Sequence, residues 1–383
     1  MPTPKNTLKR RDLLRYIGLL PTSAAATVTW AQTSSQAVPA RHVSVAQIVD
    51  FSQAQQDVSK DFLIGSRAAW ADINNRGGLR GKRVEHWVLE TDGSTSSLDK
   101  ALAAVKDNPA CLALFGTVGD RLASQTVTSS RQLGLNMAHA APWLQDGSLD
   151  IGDKTFPIFA ARQEQIAYAL KSAAVMGIRE MGVVYASALD FNTYHTELDQ
   201  IALNQKIKLL TFRATQELRQ LGQTLSPATP ALLLFIGGTP ELAEFTQGLQ
   251  QQNRQRYVLA LADINLNTLR QLGKTRHTSV IATQPVPMVN TSLPIARNFR
   301  DTLARLFDEQ PTALSLAGFI AARYTFEVLN NVDGALTRQS TLTAFQQRAS
   351  LDLGGFLVNF NTQRRSTTYV TQSMMSADGR LIG

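Results

Sequence analysis

LALFGTVGDRLASQTVTSSRQLGLNMAHAA, residues Leu112–Ala141, decides the fold. An apolar run, Leu112–Phe115, stops at Gly116, and a glycine-bracketed turn, Gly116-Thr-Val-Gly119, follows. Asp120 then opens a segment with helical spacing to Gln132, and Gly134 precedes a second short run, Leu135–Ala138. Strand, turn, helix and strand in this order form the repeating unit of a parallel α/β sheet. In such sheets ligands sit beyond the carboxyl ends of the strands, where loops turn into helices with free backbone N–H groups. The two strand ends here, Thr117–Asp120 and His139–Trp143, should open on one rim and form half of a ligand cleft.

Outward from this unit the alternation continues. Val43–Phe51 reads as a buried strand, and Ser59–Asn74 as an amphipathic helix with Phe62, Gly65, Ala69 and Ile73 on one stripe, closed by Gly77-Gly78. Lys82–Glu90 reads as a strand ending in Thr91-Asp92-Gly93, after which Ser96 or Ser97 caps a helix to Asp107. Pro157–Ala161 reads as another short strand. Then come helix 163–176, strand 181–186, helix 192–204, strand 207–212, strand 231–236, helix 240–252, strand 256–261, a helix near 265–272 and a strand at 278–283. Two runs of βαβ units joined near 157–162 predict an α/β protein of two doubly wound parallel-sheet lobes. The last third differs: Ile295–Phe307, Leu314–Asn330 and Thr341–Ala349 read as helices, and Leu353–Phe360 with Thr367–Met374 as a hairpin.

With 383 residues the chain has room for two lobes with real cores, and 44% hydrophobic with 18% charged residues is the composition of an ordinary globular protein. The net charge of +8 overstates its basicity, because Lys5, Lys9, Arg10, Arg11 and Arg15 against Asp12 supply half of it within the first 31 residues. The rest is too mild and scattered for nucleic acid. The single cysteine, Cys111, begins an apolar strand and reads as a buried, inert thiol. Residues 8–15, LKRRDLLR, resemble the twin-arginine export signal, with a moderately apolar stretch Tyr16–Val28 and a cleavage site at Thr29-Trp30-Ala31. Residues 1–31 are thus expected to be an export signal and 32–41 a flexible leader, placing the mature chain in the periplasm.

Gly65–Gly81 (GSRAAWADINNRGGLRG), the turn Glu90-Thr-Asp92, Phe115-Gly116 ahead of a helix, and Gly134-Leu-Asn-Met occur in that order and spacing. Together they resemble the type I periplasmic binding proteins of ABC importers, in the branched-chain amino-acid branch, over residues 43–375. Leu353-Gly354-Gly355-Phe356 is similar to the closing segment of a diverged subgroup. The resemblance implies two lobes, 42–158 with 285–351 and 159–284 with 352–383, joined by hinge crossings near 158–161, 282–286 and 350–354. It further implies a small-molecule ligand, an inner-membrane ABC permease as partner, a monomeric chain, and no cofactor, metal or catalysis.

For the ligand site the resemblance points to Ser52 after the first strand and to Thr117, Gly119 and Asp120 after the third. It also points to Ala140, Ala141 and Trp143 after the fourth, to Phe191 as a stacking aromatic, and to Asp263 as the acid facing an ammonium. Arg162, Gln163 and Gln284 adjoin the proposed crossings. This chain departs from the family at Gly119-Asp120, where a carboxylate-receiving serine is usual. An aspartate there would repel a carboxylate, so a cationic, amide-bearing or apolar aromatic ligand fits better than an anionic one; the other reading of Asp120 is simply the N-cap of its helix.

Enzyme motifs are weak. His42, His86, His139, His195 and His277 show no metal-binding spacing, and no Gly-x-Ser-x-Gly elbow occurs. Ser97-Leu-Asp-Lys100 matches Ser-x-x-Lys but opens a helix and lacks its companion motifs. The expectation is an exported solute-binding protein; the alternatives are a ligand-sensing module of the same fold that docks a receptor, and a periplasmic enzyme using the cleft.

Overall fold

The computed structural model describes residues 42–214, 217–272, 278–366, 369–377 and 379–382. The export signal and leader expected over residues 1–41 lie outside them. The first sheet contains β1 (His42–Asp50), β2 (Arg83–Thr91), β3 (Cys111–Phe115), β4 (Ala138–Ala140) and β5 (Thr155–Phe156) in the order β2-β1-β3-β4-β5. Every pairing in it is parallel.

Its crossover helices are α1 (Gln56–Asn75), α2 (Thr95–Asp107) and α3 (Asp120–Gln132). Strand β1 shows why both faces must be covered. Val43, Val45 and Val49 join the core beneath α1, while Ala46 and Ile48 join the core beneath α2 and α3. A run apolar at every other position on both faces has no solvent side, so helices on both faces follow. The exception, Gln47, is fully buried and saturated: its Nε2 donates to Gly116 O (2.9 Å) and Ser66 Oγ (3.2 Å), and its Oε1 pairs with His86 Nε2 (2.8 Å). A buried amide left unpaired would cost about 1–3 kcal/mol.

The second sheet contains the parallel strands β6 (Glu180–Tyr185), β7 (Lys208–Arg213), β8 (Leu232–Ile236), β9 (Tyr257–Ala260) and β10 (Ser279–Gln284). Helices α4 (Arg162–Val175) and α5 (Ala188–Asn204) cover one face. Helices α6 (Leu218–Thr224), α7 (Thr239–Leu249) and α8 (Leu266–Gln271) cover the other.

The chain then returns to the first sheet with α9 (Pro294–Leu306), α10 (Ala313–Asn330) and α11 (Arg338–Gln346). Apolar residues of all three helices belong to the first sheet's core, among them Phe299, Phe319 and Phe345. Helix α10 lies unusually close to α1, because Gly65 faces Ser315 and Gly318 faces Phe62 with no side chain between. After α11 come β11 (Leu351–Asp352), β12 (Leu357–Val358), β13 (Thr371–Met375) and β14 (Leu381–Ile382).

The C-terminal hairpin differs from expectation. β12 folds back on β11, because Asp352 Oδ1 accepts from Gly354 N (2.9 Å) and Gly355 N (2.6 Å), both glycines at positive φ. β13 pairs instead with β10 and β14, antiparallel on the edge of the second sheet. Leu353, Phe356 and Val358 pack in the first sheet's core. Two smaller corrections concern local structure. The strand near 157–161 is only Thr155–Phe156, with 157–161 serving as connecting chain. The cap of α2 is Ser94, whose hydroxyl accepts from Ser97 N (3.2 Å).

Candidate functional site

Because every pairing in the first sheet is parallel, the strands' carboxyl ends form one rim. Gly119 is the cap position of α3, at φ +118°, and Asp120 is the first helical residue. The Asp120 side chain lies outside the described structure. Thr117 is fully buried; its Oγ1 bonds His139 Nε2 (2.8 Å), and its carbonyl accepts from Trp143 N (2.8 Å). Ala140 and Ala141 are buried, and Ala141 stands at φ +46°, a costly position for a non-glycine residue, held by its N–H on Phe156 O (2.9 Å). The Trp143 indole packs edge-on against Phe62 (5.8 Å) and tilted against Phe159 (5.4 Å). Ser52 is half-buried, its N–H donating to Asp50 Oδ1 (2.8 Å).

Sequence reasoning overlooked Asp50. It ends β1, is 4% exposed, and forms no ion pair among the described residues. Its carboxylate fills the space beside two glycines. A methyl on Gly119 would stand 2.6 Å from Asp50 Cβ, and one on Gly93 would stand 3.1 Å from Asp50 Oδ1. A lone acid terminating an otherwise apolar strand was the available signal.

His139 gives this rim a pH signature. Burial pushes its imidazole down to about 3 from an ordinary 6.5. Below pH 6.5 the unfolded chain binds a proton here that the folded chain refuses, so stability is lost as the pH falls toward 3, by up to about 1.4 kcal/mol per pH unit. Urea unfolding from pH 7.5 to 4.5 should show His139→Gln with a slope shallower by one proton. An unchanged slope would mean that the histidine does not titrate between the two states.

On the second lobe, Phe191 lies in the first turn of α5. His195 stacks on it (4.2 Å), Tyr185 meets it edge-on (5.2 Å), and the Arg213 guanidinium lies 3.3 Å from the ring centroid. Asp263, past the end of β9, is 4% exposed and pairs through Oδ2 with the buried Arg162, which also bonds the Tyr194 hydroxyl and lies over the Tyr194 ring at 4.6 Å. Asp263 Oδ1 is buried without a hydrogen-bond partner. The acid that faces an ammonium in the resemblance is therefore half engaged by the protein's own cation.

Gln165, not singled out from the sequence, links chain segments near 145, 160, 262 and 283. Its Nε2 donates to Gln145 Oε1 (2.9 Å) and Ala160 O (3.0 Å), and its Oε1 accepts from Ala262 N (2.9 Å) and Thr283 Oγ1 (3.2 Å). Gln163 accepts from Gly147 N (2.9 Å), and Gln284 from Ser373 Oγ (3.1 Å). Gln284 and Trp143 also line a cavity of about 250 Å³ with Ala262, Ile264, Val286 and Leu314, drawn from both sheets' surroundings. Further across the boundary, Asn265 Nδ2 donates to Asp61 Oδ2 (3.0 Å) of α1.

Among the described residues no cluster of His, Cys, Asp and Glu could hold a metal ion. The Ser97 hydroxyl of the Ser-x-x-Lys match donates to Asp92 Oδ1 (2.5 Å) within the α2 cap. Cys111 is fully buried, and burial pushes its thiol up to about 11. No helix in the described residues is long and apolar enough to cross a membrane.

The family model described as periplasmic binding protein matches residues 42–378. Among solved structures, an extracellular ligand-binding receptor from Verminephrobacter eiseniae is 18% identical, with 89% of this chain and 100% of that chain covered at a TM-score of 0.77. A possible leucine/isoleucine/valine-binding protein from Rhodopirellula baltica is 17% identical, covering 91% and 98% at 0.76. A fatty acid ABC transporter substrate-binding protein from Thermomonospora curvata is 13% identical, covering 88% and 89% at 0.76. No curated protein matches in sequence.

Proposed function

The chain belongs to the periplasmic binding protein family, and from that membership we propose that it captures a small solute between its two lobes and hands it to an ABC permease. The solute is an amino acid, an amide or an aromatic compound, and the protein binds it without transforming it. The N-terminal twin-arginine-like stretch sends the chain to the periplasm, where it works as a monomer. The observation that carries this reading is the pair of strand-end rims, each with a buried carboxylate (Asp50 on one, Asp263 on the other), with Gln165 linking the chain near 160 to that near 262 and 283. Rims facing each other on a hinge give the closed form its stability only when a ligand touches both. Ser52, Gly119, Asp120, Phe191 and Asp263 line the cleft in this reading, and Thr117, Ala140, Ala141 and Trp143 stand behind them as its wall.

Untargeted mass spectrometry of the protein purified from periplasm tests the reading. One unmodified small molecule should accompany the protein near one-to-one, or be retained when a metabolite extract is supplied. Conversion of the retained compound to a product would instead favour an enzyme.

A further inference from the structure

The free N–H groups of a helix of thirteen residues make its N-terminus a natural seat for an anion. The chain's own Asp50 carboxylate stands beside this terminus. The Asp50 carboxylate lies against Gly119, with Oδ2 3.1 Å from where a methyl on that glycine would stand, and Oδ1 is held by Ser52 N (2.8 Å). The backbone around it is fixed, since Asp50 N donates to Val118 O (3.1 Å) and Phe51 N to Thr91 O (2.8 Å). Gly93 and Gly119 leave room for the carboxylate, and no described lysine or arginine neutralises it. A second carboxylate brought to the same seat meets both occupied space and like charge at low dielectric. A donor-bearing head group meets an acceptor already in place. On the other lobe, Asp263 keeps Oδ1 buried without a hydrogen-bond partner, a second acceptor on the opposite rim.

We propose that Asp50 sets the ligand class of the cleft: the site refuses carboxylates at the α3 terminus and takes a head group that is cationic or carries N–H donors. This inference rests on the capture reading above and narrows it. A purely structural Asp50, present only to hold the Ser52 turn, predicts no effect on ligand charge preference.

The test uses matched probes that differ only in head group: leucine with leucinamide, phenylalanine with phenylalaninamide, and isovalerate with isoamylamine. They are run within a metabolite library sorted by charge, by thermal shift and titration calorimetry, on the mature protein and its Asp50→Asn variant. Asparagine keeps an oxygen for Ser52 N and removes the charge. Asp50→Ser serves as a second variant should the first fold poorly. Wild type should favour the cationic or amide member by at least tenfold, a preference that falls to within about threefold in the variant. If compounds bind but carboxylates are preferred, or the preference survives loss of the charge, this inference fails while the capture reading stands. If no compound of any charge class binds either protein, the capture reading fails and takes this inference with it.

Discussion

Gly65→Ala should abolish or nearly abolish folding, a loss of at least about 3 kcal/mol. The added methyl would stand 1.7 Å from Ser315 O and 2.9 Å from Phe319 N, both backbone atoms of α10. A side chain in the way could rotate; a helix backbone cannot. The reciprocal contact is as tight, because a methyl on Gly318 would lie 1.9 Å from Phe62 O, and Ser66 Oγ donates across the same interface to Gly318 O (3.3 Å). Relief requires α10 to withdraw from α1, which exposes the core holding Phe62, Phe319 and Trp143. Gly334→Ala is the control. Unlike Gly65 it stands at positive φ (+69°), yet nothing lies within 4 Å of an added methyl, so it should cost only the backbone penalty of about 1–2 kcal/mol. Chemical denaturation of the two variants checks the difference; equal losses would mean that the helices pack less closely than described.

Arg162→Met should cost about 3–5 kcal/mol, because it strands the Asp263 carboxylate in a site only 4% exposed, where Oδ1 already lacks a partner. Tyr194 loses its guanidinium contact at the same time. The double variant Arg162→Met/Asp263→Leu should recover most of the loss, as paired buried charges replaced by apolar groups often do. A double variant as unstable as the single one would show that the arginine contributes through packing and not through charge.

Both results bear on how much of this molecule was legible beforehand. The sheets were, since β1 and β3 are apolar on both faces, and Gly116 and Gly119 mark where β3 yields to α3. The break in strand–helix alternation marks where the pattern changes, and that α9–α11 pack in the first sheet's core is what the resemblance implies. The hairpin was misplaced although its signal was present: Asp352 and the Gly354-Gly355 pair make the tight reversal, and the polar 361–366 turn drew attention from it. The α2 cap was off because adjacent serines at 94, 96 and 97 compete, and only backbone geometry decides among them.

The candidate site was half visible. Thr117, Trp143 and Asp263 sit at strand ends as expected, but what they touch depends on pairs far apart in sequence. Thr117 meets His139, and Asp263 meets Arg162, 101 residues earlier. Local patterns carry no information on such pairings. Asp50 was passed over because an acid at a strand end looks like any turn residue until Gly93 and Gly119 are brought to either side of it.

Lobe closure is measured most directly as a distance. Spin labels at Ser96→Cys, exposed at the start of α2, and Leu189→Cys, exposed at the start of α5, report across the two rims, and the native Cys111 is buried away from labelling. Adding the compound retained from periplasm, or hits from the charge-sorted library, should shorten and narrow the label–label distance distribution. A distribution that stays the same while calorimetry registers binding would contradict capture between moving lobes.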